Sequence, residues 1–284
     1  MAKFPRTTVA GKSLPRLIMG TNWVLGYSHK TTVYDEMINK THASPESISE
    51  MARAYLEFDI DAVMGPPGLD PKGENFIRGI EMAEEKTGKP ITRIWTPILN
   101  MGDSPEARKE AEAVIKLCKK QKGDFCLPHH SSVEELVNKH KQTIDRLPDY
   151  LKMIRDNDMI PGLSAHMPEL IVYSDANGYD VETYIQIYNC LGFLMQVEIE
   201  YIHNVIWNAK KPVMTIKAMA AGRVTPFVGL NFSFNTLREK DMVVLGAYKT
   251  EEVYEDVEIA LAAIERRKPD IEGRSSPNKT AVMR

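Results

Sequence analysis

Apolar residues in this chain gather into eight short runs, separated by longer segments in which apolar positions recur at helical spacing. The runs are RLIMG (16–20), DAVMG (61–65), TRIWTPI (92–98), FCLP (125–128), IPGLSA (160–165), YIQIY (184–188), VMTIKA (213–218) and MVVLG (242–246). They are rich in β-branched residues and nearly continuous, the pattern of strands covered on both faces. The intervening segments carry helix-start chemistry. Ser44-Pro45-Glu46 and Ser104-Pro105-Glu106 each supply a capping hydroxyl, a proline at the first helical position and an acid in the first turn. The last such segment, 250–267, has its acids early and Arg266 and Arg267 late, as the helix dipole prefers. Parallel strands need a crossover, and that crossover is normally a helix. Eight strand–helix units in about 250 residues therefore predict an α/β fold, a (β/α)8 TIM barrel, as a single domain over 1–267. A doubly wound open sheet would need a Gly-rich phosphate turn after a strand, and the chain has no GxGxxG. Residues 268–284, KPDIEGRSSPNKTAVMR, are polar and broken by proline. They read as a frayed terminus, or as an arm over the barrel mouth or a neighbouring subunit.

Charge and composition narrow the partners. The formal net charge of -3 comes from interspersed acids and bases without a long basic run, which leaves no footprint for nucleic acid. A small-molecule substrate is the expected partner, with self-association open. Cys118, Cys126 and Cys190 make an odd set without CxxC spacing, which argues against a disulfide framework or a structural zinc. No stretch approaches the roughly 18 apolar residues of a spanning helix, and the N-terminus has no apolar core of a signal peptide, so a cytoplasmic protein without a membrane partner is expected.

A TIM barrel carries its chemistry at the C-terminal strand ends and the loops that follow. Those ends present Thr21, Asn22 and Trp23 after the first strand, Gly65 after the second, and Thr96 and Asn100 after the third. The fourth ends at His129 and His130, the fifth at Ser164 and His166, the sixth at Gln186, Tyr188 and Asn189, the seventh at Lys217 and the eighth at Gly246. Carboxylates are nearly missing from this set, so a magnesium or manganese site is disfavoured. Imidazole suits zinc or iron, and His129 with His166 could contribute to such a site. Alternation along a strand sends adjacent residues to opposite faces, so His129, in step with Phe125 and Leu127, is expected to face the mouth and His130 to turn away. The connection after the first strand runs for roughly 20 residues with no clear element of its own, a length that usually marks a lid or binding loop. It interleaves Trp23, Tyr27 and Tyr34 with His29 and Lys30.

The segments LIMGTNWVLG, GDFCLPHH, IPGLSAH, YIQIYN, TIKAMAAGR and DMVVLGAYKTEEVYEDV resemble, in order and spacing, strands one and four to eight of the aldo-keto reductases. The resemblance runs from about residue 14 to 267, and IKAMAAGR followed by MVVLGA is its most specific part. It implies a catalytic tetrad of an Asp and a Tyr after strand two, a Lys after strand three and a His after strand four, with the Tyr as proton donor. Here Met64 stands at the Asp position, no tyrosine follows it, WTPILNMGD lacks the lysine, and His129 alone matches. Tyr27 and His29 are the available substitute donors. The resemblance also places Ser164, Gln186 and Asn189 around a nicotinamide, with Ala165 where an amide is usual. It puts Val253 and Asp256 where basic and amide residues hold the adenosine phosphate. An acidic stretch there would repel a 2′-phosphate, so NAD is favoured over NADP if a dinucleotide binds.

Three functions remain open from the residues. The first is non-redox proton transfer, of isomerase or lyase type, on a small carbonyl or polyol, with His129 or His166 moving the proton and Lys217, Asn189 and Gln186 holding oxygens. Lys217 could alternatively form a Schiff base. The second is an NAD-dependent oxidoreductase with Tyr27 as relocated donor. The third is a non-catalytic or metal-binding barrel.

Overall fold

The computed structural model describes residues 2–271. The chain enters through an antiparallel hairpin, β1 (Arg6–Val9) and β2 (Lys12–Pro15), turned at Ala10 and Gly11, whose φ of 49° and 79° suit a tight hairpin turn. Strand β3 (Leu17–Gly20) opens the wall and is followed by α1 (Asn22–Leu25), α2 (Thr32–Thr41) and α3 (Pro45–Leu56). Next come β4 (Ala62–Gly65), α4 (Pro71–Thr87), β5 (Thr92–Trp95), α5 (Pro105–Lys120), β6 (Phe125–Cys126) and α6 (His130–Val133). A small hairpin, β7 (Val137–Asn138) and β8 (Thr143–Ile144), precedes α7 (Leu147–Asp156). Then follow β9 (Ile160–Pro161), β10 (Leu163–Ala165), α8 (Glu169–Asn177), β11 (Tyr184–Ile187), α9 (Ile199–Asn208), β12 (Val213–Ile216), α10 (Pro226–Thr236), β13 (Met242–Leu245) and α11 (Thr250–Glu265).

The wall is parallel throughout, in the order β10-β11-β12-β13-β3-β4-β5-β6-β9. The two ends of that order are successive halves of the predicted fifth strand. Strand β9 pairs with β6 and β10 with β11, so the sheet closes on itself through Gly162. A Cβ on Gly162 would stand 2.6 Å from the Thr183 carbonyl oxygen and 2.7 Å from Leu127, which is why the junction is a glycine. The (β/α)8 barrel expected from the apolar runs is therefore the observed architecture.

Alternation along each strand sorts the core into two layers. Ile18, Ala62, Met64, Ile94, Phe125, Leu127, Ile185, Met214, Met242 and Val244 fill the barrel. Their neighbours, such as Leu17, Val63, Trp95, Cys126, Leu163 and Val243, pack outward against the helices. At ~1.5–3 kcal/mol for each large side chain removed from water, this double layer is the main source of stability. The N-terminal hairpin, which the sequence pattern did not reveal, adds Val9 and Leu14 to the inner layer and closes the N-terminal end. Among the described residues, the barrel opens to a cavity at its C-terminal end.

Two further expectations change. The connection after β3 holds the helices α1 and α2, so it is structured rather than without elements. The tail reading falls mostly on 272–284, outside the described residues; before it, the Asp270 N–H donates to Glu258 Oε1 at 2.7 Å and Ile271 packs against the core. Among the described residues, no helix is long and apolar enough to cross a membrane.

Candidate functional site

A cavity of about 480 Å³ opens at the C-terminal end of the barrel. Every wall position but the sixth strand contributes a strand-end or loop residue to its rim, and Ile185 of that sixth strand lies in its floor. Thr21, Asn22, Trp23, Tyr27, His129, Ser164, His166 and Lys217, all singled out from the sequence, line it together.

The histidines are brought closer than alternation predicts. Pro128 ends the fourth strand, the His129 N–H donates to the Pro97 carbonyl at 2.8 Å, and α6 starts at His130. Because the chain turns into a helix here, strand parity no longer applies, and His130 faces the cavity along with His129. The expectation that His130 turns away is thus corrected. The His129 and His130 rings lie 4.2 Å apart, and His130 stacks on His166 at 3.5 Å with 14° between ring planes. Stacked rings send their nitrogens out in parallel rather than toward one point. Among the described residues, no three His, Cys, Asp or Glu side chains form a group able to hold a metal ion.

Behind the stack lies Glu134, which sequence reasoning missed. Its Oε1 accepts the N–H groups of His166 and Met167, each at 2.7 Å, and its Oε2 lies 3.6 Å from His130 Nδ1. Burial opposes its ionisation, but the neighbouring His130 and those two N–H groups outweigh burial and hold the carboxyl below its usual range. The i, i+4 spacing of His130 and Glu134 across the turn following a strand end was the signal available in the sequence.

Burial and the adjacent His130 bring His129 down to about 4, and the same two causes bring His166 down to about 3. Both are neutral near pH 7. His129 Nδ1 sits 2.7 Å from Ser131 Oγ and accepts the Ser131 N–H at 3.4 Å, which leaves Nε2 as the protonated, donating nitrogen. Lys217 stands two strands round the barrel from His166, beyond the end of β12. Burial lowers its ammonium to about 8. Its φ of 67° places a non-glycine residue in the left-handed region.

The segment after β3 covers one side of the mouth. Trp23 packs edge-on against Tyr34 and Tyr248, and Lys30 Nζ lies over both the Tyr34 and Trp23 rings, at 4.7 and 5.6 Å. His42 Nε2 lies 2.9 Å from the Tyr248 carbonyl oxygen, and Thr41 Oγ1 2.6 Å from the Tyr248 hydroxyl. The segment is therefore pinned to the loop after β13, while Tyr27 remains half exposed beside the cavity.

Other candidates sit elsewhere. Gln186 alternates with the inward Ile185, so it faces the helix layer, fully buried, with Oε1 unpartnered. Asn189 binds its own loop, donating to the Phe193 carbonyl and accepting from the Leu191 and Phe193 N–H groups. Tyr188 donates to Thr236 outside the barrel, and Asn100 caps the start of its loop at Gly102. Neither Gln186 nor Asn189 can hold a ligand in the mouth, contrary to expectation.

No protein-family profile and no curated protein matches the sequence. Solved structures do match the fold. A Pseudomonas aeruginosa protein assigned to the aldo-keto reductases superposes with a TM-score of 0.65 at 12% identity, covering 91% of this chain and 96% of that one. An aldo/keto reductase from Klebsiella pneumoniae, solved with NADP and acetate, gives 0.53 at 13% identity over 97% and 99%. The barrel is aldo-keto-reductase-like. The BexX/CysO complex of Amycolatopsis orientalis also matches, at 0.54 and 9% identity over 96% and 100%.

Within that aldo-keto-reductase-like barrel the tetrad positions are open to inspection. Met64 belongs to the inner core layer and lines the cavity, Gly65 and Pro66 follow it, and Thr96 follows β5. Among the described residues, those two strand ends bring no acid, tyrosine or lysine to the cavity. The dinucleotide positions fare no better. Of Ser164, Gln186 and Asn189 only Ser164 reaches the cavity, and Val253 and Asp256 are buried inside α11's packing face. Acids Glu251 and Glu252 occupy the first turn of α11. These residues do not make a dinucleotide cradle.

Proposed function

We propose that this barrel catalyses non-redox proton transfer, of isomerase or lyase type, on a small carbonyl or polyol compound. The observation that carries the reading is the carboxylate-backed imidazole wall, with Glu134 behind His130, facing a cavity whose rim also holds Lys217. A carboxylate beside Nδ1 keeps the proton there and leaves Nε2 of His130 as the basic nitrogen. His130 Nε2 takes the proton from the carbon next to the substrate carbonyl. The electron pair moves to the carbonyl oxygen, and His129 Nε2–H and the Ser164 hydroxyl donate to that oxygen as its charge grows. A neutral imidazole suits this part, since it gives a hydrogen bond without losing its proton to the product. His166, stacked on His130, fixes the ring plane and keeps water off one face. In a hydroxy-carbonyl compound, return of the proton to the former carbonyl carbon, with the hydroxyl proton of the deprotonated carbon passing to the former carbonyl oxygen, gives the isomer; departure of a β-substituent with its bonding pair as the carbonyl re-forms gives the lyase outcome.

The test is deuterium wash-in. The protein is incubated in D2O with small hydroxy-aldehydes, hydroxy-ketones and 2-oxo acids, and loss of the α-proton signal is followed by proton NMR. Exchange above the buffer rate with at least one compound, abolished in His130→Asn, supports the reading. Exchange with none of them, or exchange that survives His130→Asn, defeats it.

A further inference from the structure

The lining of the mouth is one-sided in charge. Lys217 stands on it, and among the described residues no Asp or Glu side chain does. Asp35 accepts the Ser28 N–H at 2.8 Å, and Glu134 is engaged behind the histidines, so both nearby acids are already used. Lys217 makes no hydrogen bond or ion pair among the described residues. That sets it apart from other buried or half-buried cations of the molecule. Arg93 lies 2.8 Å from Glu84, Arg238 lies 2.7 Å from Asp241, and Arg16 donates to the Asp241 and Arg238 carbonyls. A half-buried charge left unpaired costs stability, and an oppositely charged ligand group in the cavity would offset that cost.

The backbone beside it points the same way. Ala220, Ala221 and Gly222 follow Lys217 into the left-handed region, with φ of 48°, 55° and 75°. Each non-glycine residue there adds roughly 1 kcal/mol of strain. The Ala220 N–H donates back to Lys217 and the Gly222 N–H to Met219. The amides of Ala218, Met219 and Ala221, all three lining residues, carry no hydrogen bond among the described residues. Ala218 and Met219 are consecutive, and consecutive free amides suit an anion. The charge around the loop reinforces it. A Cβ on Gly222 would stand 3.0 Å from Lys30 Nζ, and Arg223 Nη2 donates to the His29 carbonyl at 3.3 Å.

We infer that the substrate carries a small oxyanion, a carboxylate or a phosphate, which docks between Lys217 Nζ and the free amides of the 218–221 loop. This rests on the reading that the mouth acts on a small carbonyl compound, and it supplies that compound's second functional group. The reacting carbon then lies toward the histidine wall while the anion is held at the seventh strand. A cavity of about 480 Å³ accommodates a compound of this size.

The full chain is titrated by calorimetry with pyruvate, inorganic phosphate and hydroxyacetone, the last a neutral compound close to pyruvate in size. At low ionic strength one of the anions should bind at least ~10-fold more tightly than hydroxyacetone, about 1.4 kcal/mol. The preferred anion identifies the group, carboxylate or phosphate. The preference should shrink as salt rises, vanish in Lys217→Met and persist within a few-fold in Lys217→Arg. Hydroxyacetone binding as tightly as both anions, neither anion binding, or a preference unchanged in Lys217→Met would overturn the inference. Should Lys217→Met fail to fold, the salt dependence of the wild type and the Lys217→Arg titration decide it. Failure of the proton-transfer reading looks different, because deuterium exchange is then missing while the anion preference stands.

Discussion

Replacing Lys217 with methionine should stabilise the protein, and the pH dependence of the gain should reveal why. The two side chains are of similar length and share the left-handed backbone, so the substitution removes mainly the charge. Burial lowers the ammonium from its ordinary 10.5 to about 8. At ~1.4 kcal/mol for each pH unit of displacement, holding the charged form in the fold costs about 3 kcal/mol, and partial contact with water reduces this to ~1–2 kcal/mol. The folded group has the lower pKa, so below pH 8 both folded and unfolded chains carry the proton and the whole penalty stands. Between pH 8 and 10.5 the unfolded chain keeps a proton that the folded chain has released, so wild-type stability rises with pH in that window. Lys217→Met lacks that rise. Urea unfolding at pH 7 should therefore show the variant more stable by ~1–2 kcal/mol, a melting temperature higher by roughly 2–6 °C, with the gap narrowing by pH 10. A variant no more stable than the wild type at pH 7, or equal pH slopes for the two proteins, would refute the claim that an unpaired charge is buried at the mouth.

Glu134→Gln keeps an oxygen for the His166 and Met167 amides but loses the charge beside His130. Deuterium wash-in should slow by ~10- to 100-fold with a displaced pH profile and little change in melting temperature, whereas a purely structural Glu134 would move the melting temperature alone. Asp256 is buried in α11, and burial followed by Glu252 and Glu255 raises its carboxyl to about 8. Its folded pKa is the higher, so the stability it contributes is whole below about pH 4 and erodes as pH climbs to 8; Asp256→Asn should be more stable at pH 7 by at least ~2 kcal/mol in urea titrations and lose that slope. Gly79→Ala would gain about 1 kcal/mol of helix propensity in α4, but its Cβ would fall 2.6 Å from Ile48 and 2.7 Å from the Pro45 carbonyl oxygen, so calorimetry should show a net loss of ~1–3 kcal/mol.

The barrel was legible because it is written in the period of the chain. Strands buried on both faces read as unbroken apolar runs, and seven of the eight runs each contain one wall strand, while 160–165 contains two halves broken at Gly162. The N-terminal hairpin was not legible, since RTTV and KSLP leave five of their eight positions exposed or half-buried and offer only Val9, Leu14 and Pro15 as buried residues. At the site, residue types were easier to read than directions. Strand parity serves while a residue lies within a strand, as for Ser164, which does face the cavity. It fails at His130, where the chain has already become helix, and at Gln186 the error ran the other way. There the family position suggested a ligand contact, while parity with Ile185 shows the side chain turned toward the helices. Glu134 escaped notice because its role depends on β10 being next to α6, which a chain reading cannot supply.

Several costly features meet at the mouth. The buried Arg93 and Arg16 have partners, and the interior layer of the barrel is apolar. At the mouth an unpaired ammonium, a left-handed loop and three crowded imidazoles occur within one cavity, each at a cost in stability that the rest of the fold offsets. Perturbation alone does not mark a site. The Asp256 carboxyl is raised to about 8, yet it is buried in α11 and does not line the cavity at the mouth. What separates Lys217 from Asp256 is contiguity. The lysine shares open space with donors, with a base and with free amides, so its uncompensated charge can be repaid by a ligand. The strand ends agree. Among the described residues the second and third bring no acid, tyrosine or lysine to the cavity, while the fourth, fifth and seventh bring three imidazoles, a serine hydroxyl and an ammonium.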